Sequence, residues 1–396
     1  MKVILFANTD WYLFNFRLPL ARALRDAGYE VLLLSPDGAY GPQMEVEGFS
    51  WQAFPLSRKG MNPLHELVTI FRLRRLYREE KPDVVHHFTI KCVLYGSLAG
   101  HFSGVPRIIN AITGLGFVFS QRGLARIIRP FILPFYRLVL RGTTAIFQNP
   151  DDIDLFHQLR LLRKTKIHLV RGSGARTDIF LPSPEPPGAP VVMMTGRFLW
   201  EKGVGEFVEA ARMLKSRTLS LSKGTADPDT AIALRPLRGQ VQAQGTTASA
   251  RFVLVGGTYP DNPGAVSPEQ LQAWMDEGLV EWWGWHDDMA DMFPKAHIVC
   301  LPSYREGMPL SLAEAGACAR PVVTTDAPGC REIVQDGVNG FLVPVRNAAA
   351  LAEALQKLIE DPALRAEMGR RGRERVEAEF SVQRIVEETL KVYNHG

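Results

Sequence analysis

The sequence predicts an α/β protein built from strand–loop–helix units in open parallel sheets and divided into two domains. Three observations carry this. KVILFAN opens the chain as a β-branched and aromatic run, and the amphipathic LPLARALRDAG and a second apolar run follow it, which is a βαβ beginning. LPSPEPPGAP, with five prolines in ten residues, is a stiff linker that sets a boundary at residue 185. Beyond it PVVMMTGRFLWEKGVGEFVEAARML restarts a strand, a Gly-containing loop and a helix.

A chain of 396 residues is ample for two or three cores, and 22% charged with 46% hydrophobic residues is ordinary for a globular protein. The net charge of +4 hides an asymmetry, because residues 1–185 hold 24 Lys and Arg against 15 Asp and Glu, and residues 186–396 hold 22 against 27. A basic half suits nucleic acid, anionic lipid or a phosphate-bearing substrate. No nucleic-acid recognition motif accompanies the charge, so nucleic acid is the poorest fit of the three. Cys92, Cys300, Cys318 and Cys330 show no CxxC spacing and read as reduced, cytosolic thiols. No signal peptide and no apolar run of 18 residues is present, so the expectation is a cytoplasmic protein that does not span a bilayer.

Taken in order, the loop NTDWYLFNFR after the first strand includes Asn15 and sits where a βα loop meets ligand. No G-x-G-x-x-G follows that strand, which argues against a dinucleotide-dependent dehydrogenase. The strand DVVHH ends in His86 and His87, with Thr89 and Lys91 just beyond. A histidine at a strand's carboxyl end can donate a hydrogen bond to a sugar hydroxyl or a phosphate, and a histidine satisfied in the core is the competing reading. Alternation along the strand can turn His87 the other way from His86. RIINAITGLGFVF adds Thr113, Gly114 and Gly116, where glycines let backbone approach a bulky ligand. Residues 121–141 interleave Arg122, Arg126, Arg129, Arg137 and Arg141 with apolar side chains and contain no acid, a pattern suited to an anionic membrane surface or to a core helix with a solvated basic face.

In the second half Arg197 and Lys202 stand five residues apart on a strand–helix loop, placed to stabilise the charge of a leaving diphosphate. Residues 216–250 read as a polar insertion in which Asp227 and Asp229 form a coincidental Asp-x-Asp. Gly256 and Gly257 end the strand RFVLVGG, and Trp285 and His286 follow Gly284, while Trp282 and Trp283 read as packing residues. LPSYREGMPLSLAE carries Glu306 and, eight residues on, Glu314. Pro309 suits a first helical turn, so a helix is expected over Pro309–Ala317. Glu306 then lies in the loop before that helix and Glu314 inside it. Two carboxylates can accept from vicinal hydroxyls while loop amides meet a phosphate, which together describe a nucleotide sugar.

GRFLWEKG, the Glu-x7-Glu stretch and DAPGCREIVQDGVNGFLVP, in that order, resemble the group-4 retaining glycosyltransferases of the GT-B architecture. HHFTIK and NAITGLG resemble the subset that adds N-acetylhexosamines to polyprenyl-diphosphate-linked saccharides. The resemblance implies two Rossmann-like doubly wound domains facing a cleft, residues 1–185 for the acceptor and 186–375 for the donor, with residues 376–396 folding back to the first domain. It implies that Arg197, Lys202, Glu306 and His86 carry the chemistry. Gly196, Gly256, Gly257, Trp285, His286, Gly307, Met308, Pro309, Leu310 and Glu314 bind the donor, and Asn15, His87, Lys91, Thr113, Gly114 and Gly116 the acceptor. It implies no cofactor and no metal, since two cations do the electrostatic work. The partners are a UDP sugar, a lipid-linked saccharide and the inner face of the cytoplasmic membrane, with no nucleic acid. Two other readings fit the same residues: a sugar-nucleotide epimerase, and a non-catalytic nucleotide-sugar-binding protein.

Overall fold

The computed structural model describes residues 1–57, 62–114, 124–222, 250–260 and 262–394. The chain forms two compact units, Met1–Gly174 with Phe380–Gly396, and Ala175–Glu379. The proline-rich segment, expected to part the domains at residue 185, belongs to the second unit. Arg320 donates to Ser183 O at 2.9 Å and to Pro184 O at 3.0 Å, and Arg365 meets the Glu185 carboxylate at 2.8 Å, so polar bonds fasten the segment to that unit.

In the first unit seven strands form one sheet: β1 (Lys2–Phe6), β2 (Glu30–Ser35), β3 (Ser50–Ala53), β4 (Val84–Phe88), β5 (Arg107–Ile112), β6 (Thr144–Phe147) and β7 (Lys166–Leu169). Their order is β3-β2-β1-β4-β5-β6-β7 and every pairing is parallel. The order reverses between β1 and β4, the position at which doubly wound sheets open a crevice at their carboxyl edge. All five residues of β4 are buried, because helices cover both faces of a parallel sheet. A helix over Val382–Asn394 closes the chain against this unit, where Arg107 donates to the carbonyls of Tyr393 at 2.5 Å and Val392 at 3.0 Å. That guanidinium neutralises the orphan carbonyls of a helix end.

The second unit repeats the plan with β8 (Val191–Arg197), β9 (Arg251–Gly257), β10 (Glu281–Trp282), β11 (Ile298–Leu301), β12 (Val322–Thr325) and β13 (Gly340–Val343), ordered β10-β9-β8-β11-β12-β13 and parallel throughout. Its switch point lies between β8 and β11. β8 and β9 run register-matched to their last residues, Gly196 beside Gly256 and Arg197 beside Gly257. Gly256 has φ +133°, and a Cβ there would strike the Gly196 carbonyl, so only glycine brings the two strand ends this close. The doubly wound α/β class is as expected in both units. The inserted stretch 223–249, with Asp227 and Asp229, lies outside the described residues.

Candidate active site at the carboxyl edge of the second sheet

The loops after β8, β11 and β12 meet at the switch point and are bonded to one another. Tyr304 N–H donates to Glu201 O at 2.9 Å, and the Ser303 hydroxyl reaches the same carbonyl at 3.2 Å. Tyr304 Oη donates to Glu206 Oε1 at 2.7 Å, with the Arg346 guanidinium 4.6 Å above its ring. Glu306 N–H donates to Pro328 O at 2.9 Å, so that loop amide is spent inside the protein rather than left open for an anion. Gly329 turns with φ +79°, where a Cβ would lie 2.5 Å from the carbonyl oxygens of Glu306 and Gly307. A bulkier residue would push the Glu306 turn away from the β12 loop.

This scaffold brings Lys202 and Glu306 together. Lys202 ends the short 3-10 turn Trp200–Lys202, and its Nζ lies 2.5 Å from Glu306 Oε1 across the switch point. The sequence reading gave the two residues separate targets, a diphosphate and a sugar; in this structure they neutralise each other. Arg197 closes β8 with an exposed side chain 5.9 Å from the Tyr259 ring centroid, and its guanidinium has no ion pair among the described residues. Tyr259 went unnoticed in the sequence because nothing about an aromatic on a loop marks it as the support of a cation.

Glu314 stands in the helix Leu310–Ala317, which begins one residue later than expected, with Pro309 as its N-cap. Glu314 is half-buried, and the apolar surroundings of its carboxyl push it up to about 7; the carboxyl has no hydrogen-bond or ion-pair partner among the described residues. Desolvation without compensation is costly, so this group is poised to accept hydrogen bonds from something that enters. Met308 and Leu310 flank the same turn, both half-buried, and Pro309 is buried. At the β9 end Trp282 Nε1 donates to Gly256 O at 2.9 Å and Gly256 N–H to Gly284 O at 2.8 Å. Trp285 is 53% exposed, with its ring 4.0 Å from where a Gly257 Cβ would sit. His286 is held by the Trp283 carbonyl at 2.8 Å. Trp282 is 45% exposed, so it borders this edge rather than serving only as packing.

The first unit treats its predicted residues unevenly. His86 Nδ1 pairs with Tyr393 Oη at 2.8 Å, and its buried Nε2 has no hydrogen-bond partner. Burial, then the charge of Arg17, hold it well below the usual histidine range, so it is neutral. Arg17 is itself buried, bonded to Tyr12 Oη at 2.6 Å and stacked 4.5 Å over the Phe88 ring. The stretch expected as a ligand loop is instead the helix Asp10–Phe16, and Arg17 sits between it and the helix Leu18–Asp26, where its charge was the missed signal. His87 is a correction: both ring nitrogens are used in the core, Nε2 with Tyr77 Oη at 3.0 Å and Nδ1 with Asn110 Oδ1 at 2.9 Å, leaving none for an acceptor. Lys91 is likewise engaged, 2.6 Å from Glu66 Oε1 and 2.8 Å from Ser57 O. Asn15 is exposed and donates to Trp11 O at 2.9 Å. Thr113 and Gly114 follow the end of β5, whereas Gly116 and Arg122 lie outside the described residues.

Residues 175–375 match the family Glycosyl transferases group 1, and residues 2–150 match Glycosyl transferase 4-like. The N,N'-diacetylbacillosaminyl-diphospho-undecaprenol alpha-1,3-N-acetylgalactosaminyltransferase of Campylobacter jejuni is 26% identical over 409 residues, covering 100% of this chain and 98% of its own. The capsular polysaccharide biosynthesis glycosyltransferase CapM of Staphylococcus aureus is 24% identical, covering 95% and 94%. Among solved structures, Anabaena HepE in complex with UDP aligns with a TM-score of 0.73 at 18% identity, covering 100% of each chain.

Proposed function

The chain belongs to the group 1 glycosyltransferases, and from that premise we propose that it moves a hexose or N-acetylhexosamine from a UDP sugar to a polyprenyl-diphosphate-linked saccharide, with retention at the anomeric carbon. The observation that carries the donor half is the Lys202–Glu306 pair across the switch point between β8 and β11, with Arg197 at the end of β8 and Glu314 in the helix that follows β11. Arg197 and Lys202 would grip the diphosphate, whose charge grows as the glycosidic bond to phosphate breaks. When the diphosphate takes Lys202, Glu306 is released to accept from hydroxyls of the transferred sugar. Glu314 would take the ribose hydroxyls, and Trp285 beside the Gly256–Gly257 edge offers an aromatic face to the base. With no carboxylate placed as nucleophile in this reading, the acceptor attacks on the face the diphosphate leaves, and a departing phosphate oxygen takes the acceptor's proton.

For the acceptor the support is similarity: the Campylobacter jejuni relative is named for a diphospho-undecaprenol substrate. His86 has an unpartnered but buried Nε2, which this reading assigns to a hydroxyl or phosphate of that substrate. No helix among the described residues is long and apolar enough to cross a membrane, and the reading places the protein peripherally on the inner face of the cytoplasmic membrane, against anionic lipid. The test is incubation with a panel of nucleotide sugars and undecaprenyl-diphosphate-linked acceptors, followed by NMR of the product. Acceptor-dependent release of UDP and an α-linked product from an α-linked donor are expected. Epimerised nucleotide sugar formed without acceptor would overturn the reading.

A further inference from the structure

The helix Pro63–Glu80 of the first unit is apolar on two faces. Its inner face buries Leu73, Leu76 and Tyr77 in the core. Its outer face carries Leu64, Leu67, Val68 and Phe71, exposed by 71%, 51%, 45% and 61%. The spacing i, i+3, i+4, i+7 puts these four on one stripe. Isolated exposed apolar side chains need no explanation, but four contiguous ones mark an interaction surface.

The next turns of the same helix decide what the stripe meets. At about 100° per residue the stripe continues into Arg75 and Arg78, with Arg72 on its flank, all three exposed. Phe71, Arg74, Arg75, Arg78 and Glu79 line a surface hollow of about 270 Å³. Glu66 is turned inward onto Lys91 at 2.6 Å, Arg72 and Arg78 have no ion pair among the described residues, and the Arg75–Glu79 pair at 2.7 Å is an exposed one that lipid phosphate can exchange. The Ser103 hydroxyl donates to Arg74 O at 3.1 Å, which brings the end of the helix Ile90–Ser103 alongside, and Phe102 there is 59% exposed. Apolar side chains followed on one face by guanidinium groups complement acyl chains beneath anionic headgroups.

We propose that the outer face of the helix Pro63–Glu80 is a membrane-docking surface, with Leu64, Leu67, Val68 and Phe71 entering the interface of an anionic bilayer while Arg72, Arg75 and Arg78 meet lipid phosphates. This names a lipid-binding element apart from the arginine-rich stretch 121–141. It deepens the membrane part of the proposed function and is tested without nucleotide sugar or acceptor, so its failure leaves glycosyl transfer standing.

The full chain is floated with vesicles of phosphatidylcholine alone or with phosphatidylglycerol, at low and high salt. The wild type is expected to float with the anionic vesicles at low salt only. L64S/L67S/F71S should reduce the bound fraction by about tenfold or more, and R72Q/R75Q/R78Q should remove the preference for phosphatidylglycerol. Thermal melting within a few degrees of wild type is expected for both variants, since the altered side chains face outward. Equal flotation of wild type and L64S/L67S/F71S would overturn the proposal, as would indifference of the wild type to anionic vesicles. A wild-type dimer that becomes monomeric on serine substitution, measured by sedimentation, would assign the face to a second copy and also overturn it.

Discussion

Lys202 Nζ sits 2.5 Å from Glu306 Oε1, joining the loop after β8 to the loop after β11 across the switch point of the second sheet. Both side chains are largely sheltered, at 21% and 12% exposure, so the pair is better screened from water than a surface ion pair. Under the proposed function a bound diphosphate competes with Glu306 for Lys202. Two consequences separate. Lys202→Met should lower kcat by about 100-fold or more, because the developing diphosphate charge loses a cation. Glu306→Gln should bind UDP at least as tightly as wild type, because Lys202 is no longer held by a carboxylate, yet transfer sugar slowly. Steady-state kinetics with UDP titrations on both variants check this.

Glu314 supplies a pH signature. Its carboxyl stands at about 7 in the free protein through burial, above the ordinary carboxylate value. Because folding raises this value, the group's protonated form favours the fold at low pH, and that contribution is lost as pH rises towards 7. Ribose hydroxyls donating to the carboxylate favour its ionised form, so UDP binding should release a proton near neutrality. UDP affinity is expected to be about tenfold weaker at pH 6 than at pH 8, from the tenfold change per unit below the titration. Glu314→Gln should flatten that dependence. Calorimetry across pH, repeated in buffers of different ionisation enthalpy, reads both the affinity and the proton.

His87 gives a prediction of the opposite kind. Replacing it with alanine strips a partner from Tyr77 Oη and from Asn110 Oδ1 in a fully buried setting. The expected cost is roughly 2–4 kcal/mol of stability, from unsatisfied polar groups and a cavity. The rate per folded molecule should be unchanged. Denaturant melts beside active-site-normalised rates check it, and an unchanged melt with lost activity would restore His87 to the acceptor site.

The fold class was legible because most of its strands are short apolar runs bounded by loops, and most are followed by a helix. The edge positions of Arg197, Lys202 and Glu306 were legible because they fall on strand ends or the next turn, where sequence position fixes place on the sheet edge, and Glu314 was legible as a residue of the following helix; their roles toward a donor remain the proposal. The first unit was less so. Alternation along β4 distinguishes two faces, but a central parallel strand has no solvent face, and both histidines are buried. Lys91 looked free in sequence, and only the fold brings Glu66 to it across 25 positions. The unit boundary was displaced because proline content reports stiffness, while Arg320 and Arg365 decide which unit holds the stiff segment. The outer face of the helix Pro63–Glu80 was not singled out, because apolar residues on opposite faces cancel the periodic pattern that marks a surface.

The most direct measurement is calorimetric titration of UDP into wild type and Arg197→Ala. The Arg197 side chain is exposed and unpaired among the described residues, so its removal should leave the melting temperature within a degree or two. Saturable UDP binding by the wild type, weakened about tenfold or more in the variant, is the result expected from loss of a charge-assisted contact to the diphosphate. Equal affinity of the two proteins, or no binding of UDP by the wild type, would contradict the assignment of this sheet edge to a nucleotide sugar.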